Sequence, residues 1–213
     1  MTKSYILYGW HLSYFTGKVR CYLRYKDIPF EDRAVDLFTL TSRIKRKTGE
    51  VVMPVLVTPE GEWIQDSSNI LDRMETRFPV AAVIPASPVQ KFATYLLEAW
   101  GDEWWVPIAM HTRWSYPENN KLFENEAGKH LLPYMPGFLQ RRAARRVADR
   151  LRAMLPTVGV RPEQFEVLDA WTQDMLDNLD LHFAARPYLL GAAPSLGDFG
   201  LAGTMYAHLG RDP

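Results

Sequence analysis

The chain of 213 residues has a single cysteine, so it can form no disulfide within itself and fits a reducing compartment. No apolar run approaches the roughly 20 residues needed to cross a bilayer. Tyr5-Ile6-Leu7-Tyr8, near the start, is too short for a secretory core. Net charge is absent too. The 25 Lys and Arg balance 25 Asp and Glu, so no overall field draws nucleic acid or anionic lipid. The five histidines show no metal-ligand spacing, and no glycine-rich loop is built to cradle phosphate. Cys21 has no C-x-x-C partner, which argues against disulfide exchange of the thioredoxin type. The expectation is a cytoplasmic protein with no metal, no nucleic-acid partner and no membrane partner.

What is present is an ordinary globular composition, 47% hydrophobic and 23% charged, with an aromatic share of 13% that includes seven Trp. Residues 4–78 alternate between strand and helix patterns. A strand is predicted over 4–8, a helix over 16–26 that stops at Asp27-Ile28-Pro29, and a strand over 30–35. A short basic helix over 39–47, a hairpin of 54–57 with 62–64, and a helix over 67–78 follow. A parallel crossover needs its helix, so this order implies a mixed sheet covered by helices. The Pro/Ala-rich stretch 79–88 marks a boundary, beyond which strand patterns almost vanish. Helices are predicted over 89–114, with a kink at Pro107, over 138–155, from Pro162 past Phe183, and from Ser195 to about Leu209. Ser195 with Asp198 at the third helical position reads as a capping box. The division is residues 1–80, a linker over 81–88, and a helical domain over 89–213 whose early stop suggests a longer natural chain.

The most informative stretch is Val51 to Ile70, VVMPVLVTPEGEWIQDSSNI. A proline that opens a strand cannot donate to the ladder, and a tight bend there calls for a cis Met53–Pro54 bond. Such a bend leaves the Met53 backbone open to an extended, peptide-like ligand. Asp66 and Ser67 lie at a helix start, where a carboxylate is well received; Ser67 also reads simply as the helix cap. Ser13 and Thr16 precede the first helix, where a hydroxyl either caps the helix or stabilises an anion. Trp100, Trp104, Trp105, Met110, His111 and Trp114 crowd one helical region, a pattern of core packing or of an apolar pocket. Arg141, Arg142, Arg145, Arg146, Arg150 and Arg152 form a basic helix face, read as solvated.

Three pieces in order, Ser13-Tyr14-Phe15-Thr16-Gly17-Lys18-Val19-Arg20, MPVLVTPEGEWIQDSSNI and PSLGDFGLAG, make the chain resemble the cytosolic glutathione transferase superfamily, serine-type. The resemblance implies an α/β thioredoxin-like N-terminal domain with a mixed four-stranded sheet, followed by an all-α C-terminal domain. It implies glutathione as co-substrate and a transfer of its thiolate to a small apolar electrophile. By position Ser13 holds the thiolate, with Tyr14 second. Met53 and Pro54 pair with the cysteinyl backbone, and Asp66 and Ser67 grip the γ-glutamyl end. Trp104 and His111 line the electrophile pocket of a family that usually forms homodimers; the alternative left open is that Asp102 and Glu103 reach the partner subunit's site. Tyr14 stands where many members have proline. Val51-Val52 stand where relatives carry a lysine for the glycine carboxylate, a contact left to Lys45, Arg46 or Lys47. These departures keep open a non-catalytic interaction or regulatory module on the same fold.

Overall fold

The computed structural model describes residues 4–212. Four strands, β1 (Tyr5–Gly9), β2 (Phe30–Ala34), β3 (Val55–Val57) and β4 (Trp63–Gln65), form one sheet in the order β2-β1-β3-β4. β1 and β2 are parallel, joined through helix α1 (Tyr14–Tyr25). β3 runs antiparallel to both β1 and β4. The pleat separates two cores. Leu7, Leu56 and Ile64 are cross-strand partners facing Val19, Tyr22 and Leu23 of α1 and Ile70, Leu71 and Met74 of α3 (Ser67–Arg77). Tyr8, Val55 and Val57 point to the opposite face, as the period of two requires.

After β2, a π-helical turn (Thr39–Ile44) runs into the short basic helix α2 (Lys45–Thr48), which ends at Gly49 with φ of 87°. From Pro88 onward every regular element is helical. Among the described residues these are α4 (Pro88–Ala99), a π turn (Trp100–Trp104), α5 (Trp105–Trp114), α6 (Pro117–Leu131), α7 (Gly137–Ala153), a 3-10 turn (Pro162–Gln164) leading into α8 (Phe165–Ala185), and α9 (Leu196–Thr204), which continues as a π turn (Met205–Leu209). The expected α/β domain with a four-stranded mixed sheet, followed by helices, is what the structure shows.

Two details differ from the sequence reading. The break in 89–114 lies over Trp100–Trp104 rather than at Pro107 itself. Pro107 has no N–H to offer the Glu103 carbonyl, so the irregular turn falls just upstream of it. Residues 117–131, not assigned a helix from sequence, form α6. It packs on α7 so closely that a Cβ on Gly128 would lie 2.7 Å from the Gln140 carbonyl oxygen.

Helix α9 sits at the centre of the second half, against α1 and α4. Its small residues permit this: a Cβ on Gly203 would meet the Tyr14 carbonyl oxygen at 2.8 Å. The capping box is present as read. Asp198 accepts from the Ser195 N–H at 2.8 Å and hydroxyl at 2.9 Å, and its other oxygen accepts from the Leu189 N–H at 2.8 Å. Asp198→Ala removes all three bonds at once. The expected loss is about 2 kcal/mol, or a melting temperature lower by about 4–8 °C, measured by thermal unfolding.

Candidate active site

The sheet register brings the sequence candidates together. Tyr8, Val55 and Gln65 are opposite one another across β1, β3 and β4. One edge of the sheet is therefore where β1 leaves toward Ser13, where β3 enters from Met53-Pro54, and where β4 leaves toward Asp66-Ser67. The Met53–Pro54 bond is cis. Pairing begins only at Val55, and the half-buried Met53 backbone makes no hydrogen bond among the described residues. Asp66 has a φ of 74° and caps α3, accepting from the Asn69 N–H at 3.0 Å. The cap is thus Asp66 rather than Ser67, which becomes the buried first helical residue. Both residue types cap well, so composition could not choose between them.

Ser13 caps α1. The Thr16 N–H and hydroxyl donate to its oxygen at 3.4 and 2.9 Å. A serine hydroxyl has two acceptor sites and one proton, so the Ser13 proton remains to be donated outward. Tyr14 is placed differently. Its phenol is buried and donates to the Gly101 carbonyl at the α4–α5 junction, and burial raises its pKa well above the ordinary phenol value. That hydroxyl is committed to holding α1 against the helical half.

Ser13, Tyr14 and Met53 line a cavity of about 480 Å3 lying between the sheet edge and helices α5, α6 and α7. Trp10, Trp114 and Phe123 form its aromatic wall, with ring centroids 6.3 Å apart for Trp10–Phe123 and 4.8 Å for Trp114–Phe123. Two arginines, Arg113 and Arg150, line it, and no carboxylate does. A cavity with a free hydroxyl proton, a helix N-terminus and the Arg150 cation favours an anion beside Ser13, the Arg113 charge being balanced by Asp212.

Residues 7–96 match the family Glutathione S-transferase, N-terminal domain. That match covers the sheet and its helices as far as α4. Among solved structures, a glutathione S-transferase from Rhodospirillum rubrum F11 superposes with a TM-score of 0.60 at 20% identity, over 94% of this chain and 76% of its own. One from Methylobacillus flagellatus KT, solved with glutathione bound, gives 0.55 at 20% identity over 98% and 84%. A third, from Methylobacterium radiotolerans in complex with glutathione sulfonate, gives 0.56 at 20% over 95% and 78%. At such identities the likeness is one of fold. No curated protein sequence matches the chain.

Within this glutathione transferase fold, Pro54, Asp66 and Ser67 lie at the sheet end without lining the cavity, and Trp104 and His111 stand apart from it. Trp104 is 68% exposed and lines a separate groove with Trp100, Met175 and Leu189. His111 is fully buried on the α8 side. Its ring meets Ser115 Oγ at 2.8 Å and Asp169 at 3.1 Å, and packs on Phe165 at 4.5 Å between centroids. The same helix turns Met110, Arg113 and Trp114 into the cavity instead. A π turn holds extra residues, so a helical phase carried from α4 across it into α5 slips by about 100° for each. The i, i+4 pair Met110 and Trp114 was the usable signal.

Asp102 is equally displaced from its expected role. It is buried in a network with Glu98, both accepting from the Lys18 ammonium, while Ser68 donates to Glu98 at 2.9 Å. Burial raises the Asp102 carboxyl even so. Glu103, its neighbour, is exposed. Lys45, Arg46 and Lys47 are exposed and make no ion pair among the described residues. No group of three His, Cys, Asp or Glu side chains among the described residues could hold a metal.

Arg113 fixes the loop that carries Ser13. It is almost fully buried, donates to the Leu12 carbonyl at 2.8 Å and to the Ala207 carbonyl, and forks onto Asp212 Oδ1 at 3.0 and 2.9 Å. His208 lies beside it, with Nδ1 at 2.9 Å from the Ala109 carbonyl and Nε2 at 3.3 Å from the guanidinium. Burial first, and the Arg113 charge second, hold His208 well below its ordinary 6.5, so it is neutral in the fold. An unfolded His208 binds a proton below about pH 6.5, so stability is flat above that value and falls as pH drops beneath it. Burial raises the Asp212 carboxyl, which acts in the opposite sense nearer the carboxylate range. Chemical denaturation between about pH 5 and pH 8 should show an acid limb of up to about 1.4 kcal/mol per pH unit. His208→Gln should flatten it.

Proposed function

We propose that the protein is a glutathione-dependent transferase that joins the glutathione thiolate to an apolar electrophile. The observation that carries this reading is Ser13, capping the α1 N-terminus and lining a cavity that holds the Arg150 cation, which has no ion-pair partner among the described residues, and no carboxylate. Glutathione supplies the thiol. The unpaired Met53 backbone suits its cysteinyl amide, in the manner of strand addition. The Ser67 hydroxyl and the first N–H groups of α3 suit its γ-glutamyl carboxylate. The Ser13 proton donates to the sulfur, and the α1 dipole adds to the stabilisation. In the conjugation the thiol proton passes to solvent, a sulfur–carbon bond forms, and the electrophile's leaving group departs with its bonding pair. Positioning and thiolate stabilisation provide the rate.

The same reading takes the enzyme to be a cytoplasmic homodimer acting in detoxification. An apolar α4 face with Val89, Phe92 and Leu96 all exposed supports the dimer, and sedimentation tests it. Two measurements test the activity itself. Titration calorimetry with glutathione should give saturable heat, and a generic aryl halide should be conjugated faster than in solution. Absence of heat and of any thermal shift would favour a non-catalytic module on this fold.

A further inference from the structure

We infer that the electrophile carries a long apolar tail, held in a groove that continues the Ser13 cavity; this rests on the glutathione-transferase reading. The cavity of about 480 Å3 does not stand alone. A groove of about 540 Å3 adjoins it, and Leu37, Thr41 and Leu131 line both. Past these shared residues the groove is bounded by Phe38, Tyr134 and Met135, of which Phe38 is 77% and Tyr134 96% exposed. Large apolar side chains gathered this way beside a site are the usual sign of a binding surface.

The groove has little that could recognise a polar ligand. Asp36 is its only charged group, and one carboxylate oxygen accepts from the Thr39 N–H at 2.6 Å, capping the turn above it. The Thr41 hydroxyl donates to the Leu37 carbonyl at 2.7 Å. Asp36 and Thr41 thus serve their own backbone, and the phenol of the largely exposed Tyr134 is the other polar group, so recognition is mainly apolar contact. Continuity sets the orientation. A reactive carbon beside Ser13 leaves the rest of the molecule to cross Leu37 and Leu131 and end between Phe38 and Met135. A small aryl compound fills the cavity and leaves the groove bare. An alkyl or polyprenyl-like tail fills both.

S-alkylglutathiones, from S-methyl through S-butyl, S-hexyl and S-decyl, test this by calorimetry on the intact protein without requiring turnover. Each methylene buried is expected to tighten binding by about two- to fourfold, continuing beyond S-hexyl. The double substitution Phe38→Glu and Met135→Glu, at exposed positions that folding tolerates, should flatten the gain beyond S-hexyl. An affinity that levels off by S-butyl in the unmodified protein overturns the tail groove while leaving the glutathione site standing. The same slope in the double variant overturns it as well. Failure of even S-methylglutathione to bind overturns the transferase reading, and this inference with it.

Discussion

Ser13→Ala should lower kcat/KM for conjugation by about 10²–10³, the usual loss when one preorganised donor to a reacting anion is removed. Affinity for glutathione should change little, because the Met53 backbone and the α3 start are untouched. The residue has two jobs, however, since it also caps α1, and a lost cap costs about 1 kcal/mol. Ser13→Asp separates them. Aspartate caps as well as serine and can accept from the same Thr16 N–H, so stability should hold or rise slightly. Its charge repels a thiolate, so turnover should fall at least as far as in Ser13→Ala. Steady-state kinetics and thermal unfolding of the two variants give four numbers, and a purely structural Ser13 would leave Ser13→Asp active. Tyr14→Phe should behave in the opposite way. It breaks the bond to the Gly101 carbonyl inside the fold, so it should lose stability before turnover.

Lys18→Met should be the most damaging single substitution for stability. Lys18 is fully buried and its ammonium bonds Ser68 at 3.0 Å as well as Glu98 and Asp102. It thereby ties α1 and α3 to the junction of α4 and α5. Methionine fills much the same volume but leaves two buried carboxylates facing each other without a counterion. Removing one partner of a buried ionic cluster costs about 3–5 kcal/mol, here a melting temperature lower by about 10 °C or more. Adding Glu98→Leu and Asp102→Asn to Lys18→Met should recover at least half of the loss, because the cost lies in the stranded charges. Equal instability in the single and triple variants would show that packing alone is at stake.

The sheet and the helices around it were legible because local signals agreed there. Asp27-Ile28-Pro29 ends α1, Gly61 turns the hairpin with φ of 93°, and alternation along β1 and β3 assigns each side chain its face. The convergence of Ser13, Met53 and Asp66 followed from strand order, since neighbouring strands present their ends at one edge. The pocket was not legible. Its face on α5 depends on a π turn that the sequence does not announce, and its far wall comes from α6 and α7. Arg150 read as part of a solvated basic face, and it is exposed, yet it stands at the cavity lining. Lys18 belonged to the recognised motif, but its acidic partners lie 80 and 84 positions away, and nothing local points to them. Long-range polar pairing and helix phase are where pattern reading stopped.

The most direct test of the Ser13 account is the titration of the thiol of bound glutathione, followed by thiolate ultraviolet absorbance in the unmodified protein and in Ser13→Ala. The account predicts a bound pKa at least about one unit below the ordinary thiol value near 8.5, rising back toward it in Ser13→Ala. A bound thiol that titrates as it does in water, or a depressed value that Ser13→Ala leaves in place, would contradict it.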